Sequence, residues 1–78
     1  MAVEIAKTFD AKGLSCPMPV IKSKRALKEL ELGQVLEILA TDPGSVNDFA
    51  AWTRTTGQEL LESSEQDGIY RFLVRRKK

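Results

Sequence analysis

Val35-Leu36-Glu37-Ile38-Leu39-Ala40, ended by Thr41-Asp42-Pro43-Gly44, orders the rest of the chain. The run is too continuously apolar for a strand with one wet face, so it reads as a strand inside a sheet. Upstream, Val3, Ile5 and Phe9 share one parity and predict a first strand over Val3–Phe9. Asp10-Ala11-Lys12-Gly13 then reads as a loop, with Gly13 free to take a positive φ. From Pro19 to Leu30 the pattern is helical, with Val20, Ile21, Leu27 and Leu30 on one side. Gly33 is expected to stop that helix.

Downstream, Ser45 and Asp48 match a capping box with Asp in the usual Glu or Gln place. They introduce a second helix over Val46–Thr56, with Val46, Phe49, Ala50 and Thr53 inward and Gly57 at its end. Trp52 lies at the margin of that stripe, either packed at the core edge or exposed as a partner anchor. Two strands follow, Glu59–Glu65 and Ile69–Arg75, and Asp67-Gly68 between them is a strong hairpin signal.

The order βαβαββ, with crossovers of the usual hand, predicts an α/β (α+β) two-layer sandwich. A four-stranded mixed sheet carries two helices on one face, and residues 1–78 make a single domain. Leu36, Ile38 and Ala40 should face the helices with Tyr70, Phe72 and Val74. Val35, Glu37, Leu39, Arg71, Leu73 and Arg75 then form an outer face, partly apolar, that offers a docking surface.

Composition narrows the chemistry. The chain is 42% hydrophobic and 29% charged, ordinary for a globular protein. It has one cysteine and no histidine. An internal disulfide, a C-x-x-C redox pair, a Cys–His nucleophile and a His-bearing zinc site are all excluded. No metal-ligand spacing or Gly-rich phosphate loop occurs, so neither a metal nor a cofactor is expected. No run spans a bilayer, and Met1–Lys7 lacks a signal-peptide core, so a cytoplasmic, reducing location is expected.

The single cysteine falls in Leu14-Ser15-Cys16-Pro17-Met18-Pro19. Each proline fixes its own φ and pushes the residue before it out of the α region. Cys16 and Met18 are therefore expected to be extended, with the helix starting near Pro17 or Pro19. A thiol there meets unpaired N–H groups and the positive end of the helix dipole, which favour the nucleophilic thiolate. A small, buried, inert cysteine is the other reading of the same residues.

Asp10-Ala11-Lys12-Gly13-Leu14-Ser15-Cys16-Pro17-Met18-Pro19 resembles the D-x-x-G-L-x-C-P-x-P signature of the TusA/SirA sulfur-carrier family. Ala40–Phe49, Trp52, Gly57 and Glu59-Leu60 are also similar to that family, so the likeness covers essentially the whole chain. It implies a sulfurtransferase that works as a persulfide carrier. Cys16 would accept a sulfane sulfur from a cysteine desulfurase or rhodanese-like donor and pass it to the cysteine of an acceptor protein. The routes it implies are tRNA 2-thiolation, molybdenum cofactor synthesis and sulfur oxidation.

In that reading the Met18 or Val20 amide favours the charged sulfur. Asp10 holds the loop, Gly13 supplies the turn and Leu14 anchors it. Pro17 and Pro19 fix how Cys16 is presented. Lys22, Lys24, Arg25 and Lys28 follow on the same helix and would steer an acidic partner and lower the thiol pKa. Two other classes compete: an RNA-binding or regulatory module using the basic helix and tail, and a single-thiol redox sensor. Near-neutral net charge, +1, and the lack of an aromatic array speak against direct nucleic-acid binding.

Overall fold

The central strand forms over the residues its apolar run predicts: β2 is Val35–Ala40. A computed structural model describes residues 4–78; the expected start at Val3 lies outside them. The elements run β1 (Ile5–Ala11), α1 (Met18–Lys28), β2, α2 (Ser45–Thr56), β3 (Glu59–Gln66) and β4 (Ile69–Arg75). The sheet order is β1-β2-β4-β3. β1 is parallel to β2, while β4 is antiparallel to both β2 and β3. This is the mixed, four-stranded βαβαββ sheet.

Inward residues behave as their parity dictates. Leu36 faces Val74, Ile38 faces Phe72 and Ala40 faces Tyr70 across the β2–β4 ladder. Ala26 and Leu27 of α1 and Phe49 and Trp52 of α2 join Leu36, Ile38, Phe72 and Val74 in one core, so both helices cover the same sheet face. Phe49 stacks on Phe72 at 4.5 Å and meets Trp52 edge-on at 5.7 Å. Trp52 is thus a core residue, 8% exposed, and the anchor reading falls.

Several boundaries move for packing reasons. β1 runs through Asp10 to Ala11, because Ala11 pairs with Ala40 and is fully buried. α1 ends at Lys28 rather than Leu30. Gly33 takes φ +90° in a separate turn, where Gln34 N–H donates to Glu31 O. Ile21 is 51% exposed, since the buried line of α1 is Pro19, Ser23, Ala26 and Leu27. Val46 likewise faces outward, and Ser45 takes the buried place expected for it. The β3–β4 hairpin turns at Asp67 (φ +54°) and Gly68 (φ +81°), the positive pair that a two-residue turn requires.

The outer sheet face carries the mixture of apolar and charged residues read from parity, with its apolar members more covered than that reading implied. Val35 and Leu73 are 2% and 4% exposed. Arg71 lies over this face, donating to Glu37 at 2.5 Å and Glu62 at 2.7 Å, and Arg75 reaches Glu59 at 3.4 Å. Long arginine stems cover apolar surface while their heads stay paired. These ion pairs cover part of the face, while Leu39 and Ile69 still line an open cleft beside Arg71.

Candidate functional site

Parallel pairing of β1 and β2 brings their carboxyl ends, and the loops that follow, to one side of the molecule. Crevices at that end of parallel strands are the usual place for a site in α/β sheets. The first loop turns where Leu14 N–H donates to Ala11 O at 3.1 Å, with Gly13 at φ +86°. That φ is the left-handed region, so Gly13 supplies the turn as expected. Its N–H donates to Thr41 Oγ1 of the second loop at 3.0 Å. Asp10 Oδ1 accepts Lys12 N–H at 3.0 Å, and Leu14 packs half-buried against the core.

Cys16 follows, a free thiol of intermediate exposure. Its N–H donates to Asp42 Oδ2 at 2.6 Å. Its sulfur lies 3.5 Å from Ser45 Oγ. Gly44 is close as well: a β-carbon there would sit 3.5 Å from Sγ, in ordinary contact. Pro17 is the exposed N-cap of α1, joined to Cys16 by a cis peptide bond, whereas Pro19 is fully buried. Burial of Pro19 holds Met18 as the first helical residue, against the preference of a pre-proline residue for extended backbone.

The electrostatics depart from the expected thiolate trap. Met18 N–H donates to Ser15 O, not to the sulfur. The sulfur instead lies beside the first turn of α2, which carries Ser45 and Asp48. Partial burial pushes the Cys16 thiol above its ordinary value, and Asp48 and then Asp42 push the same way. The Ser45 hydroxyl pulls it down. None of the four α1 cations is among the groups that shift it. On balance these influences favour the neutral thiol over the thiolate.

Ser45 also departs from its expected duty. The capping box does not form: Gly44 is the N-cap of α2, with no side-chain cap bond. Asp42 serves the turn instead, its Oδ1 accepting Gly44 N–H at 2.9 Å. The two amides hold Asp42 below the usual carboxylate range. Ser45, fully buried, turns its hydroxyl to the sulfur. Asp42, Ser45 and Asp48 were not singled out as site residues from sequence; the signal available was their place just after a strand parallel to β1.

The basic cluster of α1 divides in two. Lys22 and Arg25 rim a groove between β1 and α1. Lys24 and Lys28 line a separate, smaller cleft with Trp52, Arg76 and Lys78. Among the described residues no group of three His, Cys, Asp or Glu side chains is placed to hold a metal ion, and no helix is long and apolar enough to cross a membrane.

A family model described as sulfurtransferase TusA matches residues 7–76. The chain belongs to that family. It is 49% identical over 68 residues to the sulfur carrier protein TusA of Allochromatium vinosum, covering 87% of this chain and 90% of that one. It also resembles the crystal structure of a SirA-like protein from Desulfitobacterium hafniense, with a TM-score of 0.80 and 32% identity. That match covers 92% of this chain and 99% of the other. A general sulfur-carrier role goes with membership of the TusA family. The matched span takes in Cys16 and the second loop together.

Proposed function

We propose that Cys16 is the residue that carries the sulfur, as a persulfide, between a donor and an acceptor protein. The observation that supports this most directly is the placement of the lone thiol. It is part-exposed at the end of the sheet where two loops meet, with its main chain held by Asp42 and its sulfur against Ser45. A carrier must be reachable by two successive partners and have no second thiol in its own chain to resolve the persulfide; this chain has one cysteine.

The steps balance without an outside oxidant. Cys16 loses its proton and attacks the terminal sulfur of a donor persulfide. A new S–S bond forms on Cys16 as the donor's S–S bond breaks, and the donor leaves as thiolate to take up a proton. The acceptor's thiolate then attacks the terminal sulfur on Cys16, and Cys16 leaves as thiolate. The departing proton goes to solvent or to the partner's site, and the Ser45 hydroxyl lies where it can donate to the charged sulfur. Asp10, Gly13, Leu14, Pro17 and Pro19 shape the loop that presents it. Lys22, Lys24, Arg25 and Lys28 contribute the positive field that steers acidic partners.

The donor in this reading is a cysteine desulfurase or rhodanese-like protein, in a reducing compartment such as the cytoplasm. The acceptor sets the route, whether tRNA thiolation, molybdenum cofactor synthesis or sulfur oxidation. The test is intact mass after incubation with a desulfurase and cysteine, or with thiosulfate and a rhodanese. A gain of one sulfur atom, reversed by reductant and absent in Cys16→Ser, is expected. No gain with either donor, from a thiol that still alkylates, overturns the proposal.

A further inference from the structure

The sheet has two edges, and they are not alike. β3 is blunted by a register shift between Leu60 and Glu62 and by the exposed run Ser63-Ser64-Glu65-Gln66. Bulges and charges of this kind keep an edge from pairing. β1 has a register shift of its own, between Ile5 and Lys7, but it falls at the start of the strand; from Lys7 to Ala11 the strand is regular and has no neighbour on its outer side among the described residues. Beside it runs a groove of about 360 Å³, lined by Phe9, Met18, Ile21 and Ala26 between Lys7, Lys22, Arg25 and Glu29.

Two features of this groove ask for an occupant. Met18 and Ile21 are 39% and 51% exposed, on a helix whose other apolar side chains are packed. The rim sets three cations against one acid. Glu29 is already taken by Lys7, and no ion pair engages Lys22 or Arg25 among the described residues. Met18, which lines the groove, lies two positions after Cys16 in the chain.

We propose that an extended acidic segment of a protein partner in the relay lies in this groove and adds to the free edge of β1 as a further strand. Strand addition draws affinity from main-chain hydrogen bonds and specificity from alternate side chains. Apolar side chains of such a segment would meet Phe9, Met18 and Ile21, and acidic ones would meet Lys22 and Arg25. The inference rests on the carrier reading for the identity of the partner, and it assigns contact with the bound segment to Lys22 and Arg25, leaving Lys24 and Lys28 only a share in the longer-range field.

The test is amide NMR of the isotope-labelled protein, titrated with a blocked peptide alternating glutamate and valine and as long as β1. Saturable shifts at Lys7, Phe9, Met18 and Ile21 are expected, with new exchange protection along β1. A peptide N-methylated at alternate residues, which cannot pair as a strand, should bind about tenfold more weakly. Lys22→Glu with Arg25→Glu should cost a similar factor, and Lys24→Glu with Lys28→Glu no more than about twofold. The proposal falls on any of three results: no saturable shift in the groove, undiminished binding of the N-methylated peptide, or equal loss in the two double variants. Persulfide loading is read on the same proteins by mass. Loading with a silent groove removes the docking proposal alone, whereas groove binding without loading supports docking and removes the carrier reading.

Discussion

Asp42 Oδ2 accepts the main-chain N–H of Cys16 at 2.6 Å, across 26 positions of sequence. The thiol's position is thereby set from the loop after β2 as much as from its own loop. The same carboxylate takes Gly44 N–H, so one side chain fixes both the cysteine backbone and the entry to α2.

Removing that charge should loosen the site before the fold. Amide exchange at Cys16 and Gly44 is expected to quicken in Asp42→Asn, while β2 and β4 keep their protection. Because the two N–H donors depress the Asp42 carboxyl, its contribution to stability is complete above the ordinary carboxylate range, about pH 4, and is lost as pH falls through the folded value. Wild-type protection at Cys16 should therefore fall on acidification below that range, and Asp42→Asn should lack the step.

Thiol reactivity offers a separate check. Burial, Asp48 and Asp42 raise the Cys16 thiol, so alkylation by iodoacetamide should climb at a higher pH than for a free cysteine peptide. Asp48→Asn is expected to move the profile down, and Ser45→Ala to move it up. A shift of one pH unit in midpoint changes the rate well below it about tenfold. Coincident profiles for all three proteins would show that neither side chain acts on the sulfur.

The core supplies a stability prediction. Phe49 is fully buried between Trp52 and Phe72. Phe49→Ala should cost about 3–5 kcal/mol, a large part of the total for so small a domain. Urea denaturation would read it as a drop in midpoint. A loss under about 1 kcal/mol would mean the aromatic cluster repacks without it.

On the outer face, Arg71→Leu should remove the pairing that holds Glu37 below the usual carboxylate range. The expected loss is about 1 kcal/mol at neutral pH, since Arg71 is about a third exposed and solvent screens part of the interaction. With Glu37 depressed, that stability is present above its ordinary value and disappears as pH falls through the folded one. Arg71→Leu should flatten the acid limb of a stability curve that wild type shows.

Much of this was written in local pattern. The continuous apolar run fixed β2, Asp67-Gly68 fixed the hairpin, and the alternation in β4 fixed its inward face. What escaped was set by packing between distant segments. Ile21 and Val46 look like core residues until the helices are docked, and Ser23 and Ser45 take the buried places instead. The outer face read as a mixed, partly apolar surface, because side-chain parity places Arg71 and Arg75 on it but says nothing of how far their stems cover Val35 and Leu73. Around Cys16, the prolines and Gly13 were legible from spacing, but Ser45 read as a helix cap. Only the parallel alignment of Ala11 with Ala40 puts its hydroxyl beside the sulfur. Asp42 was hidden for the same reason.

That alignment also gives the site a history. The ribosome delivers Cys16 well before Asp42, Ser45 and Asp48, so the nascent thiol waits with no shell around it. The shell closes only when the α1 crossover has carried β2 into register against β1. The setting that holds the Cys16 main chain and raises its thiol is thus tied to completed tertiary structure. A chain stalled or truncated within β2 would bear the cysteine but not the setting that holds and tempers it, and its thiol would titrate like that of an unstructured peptide.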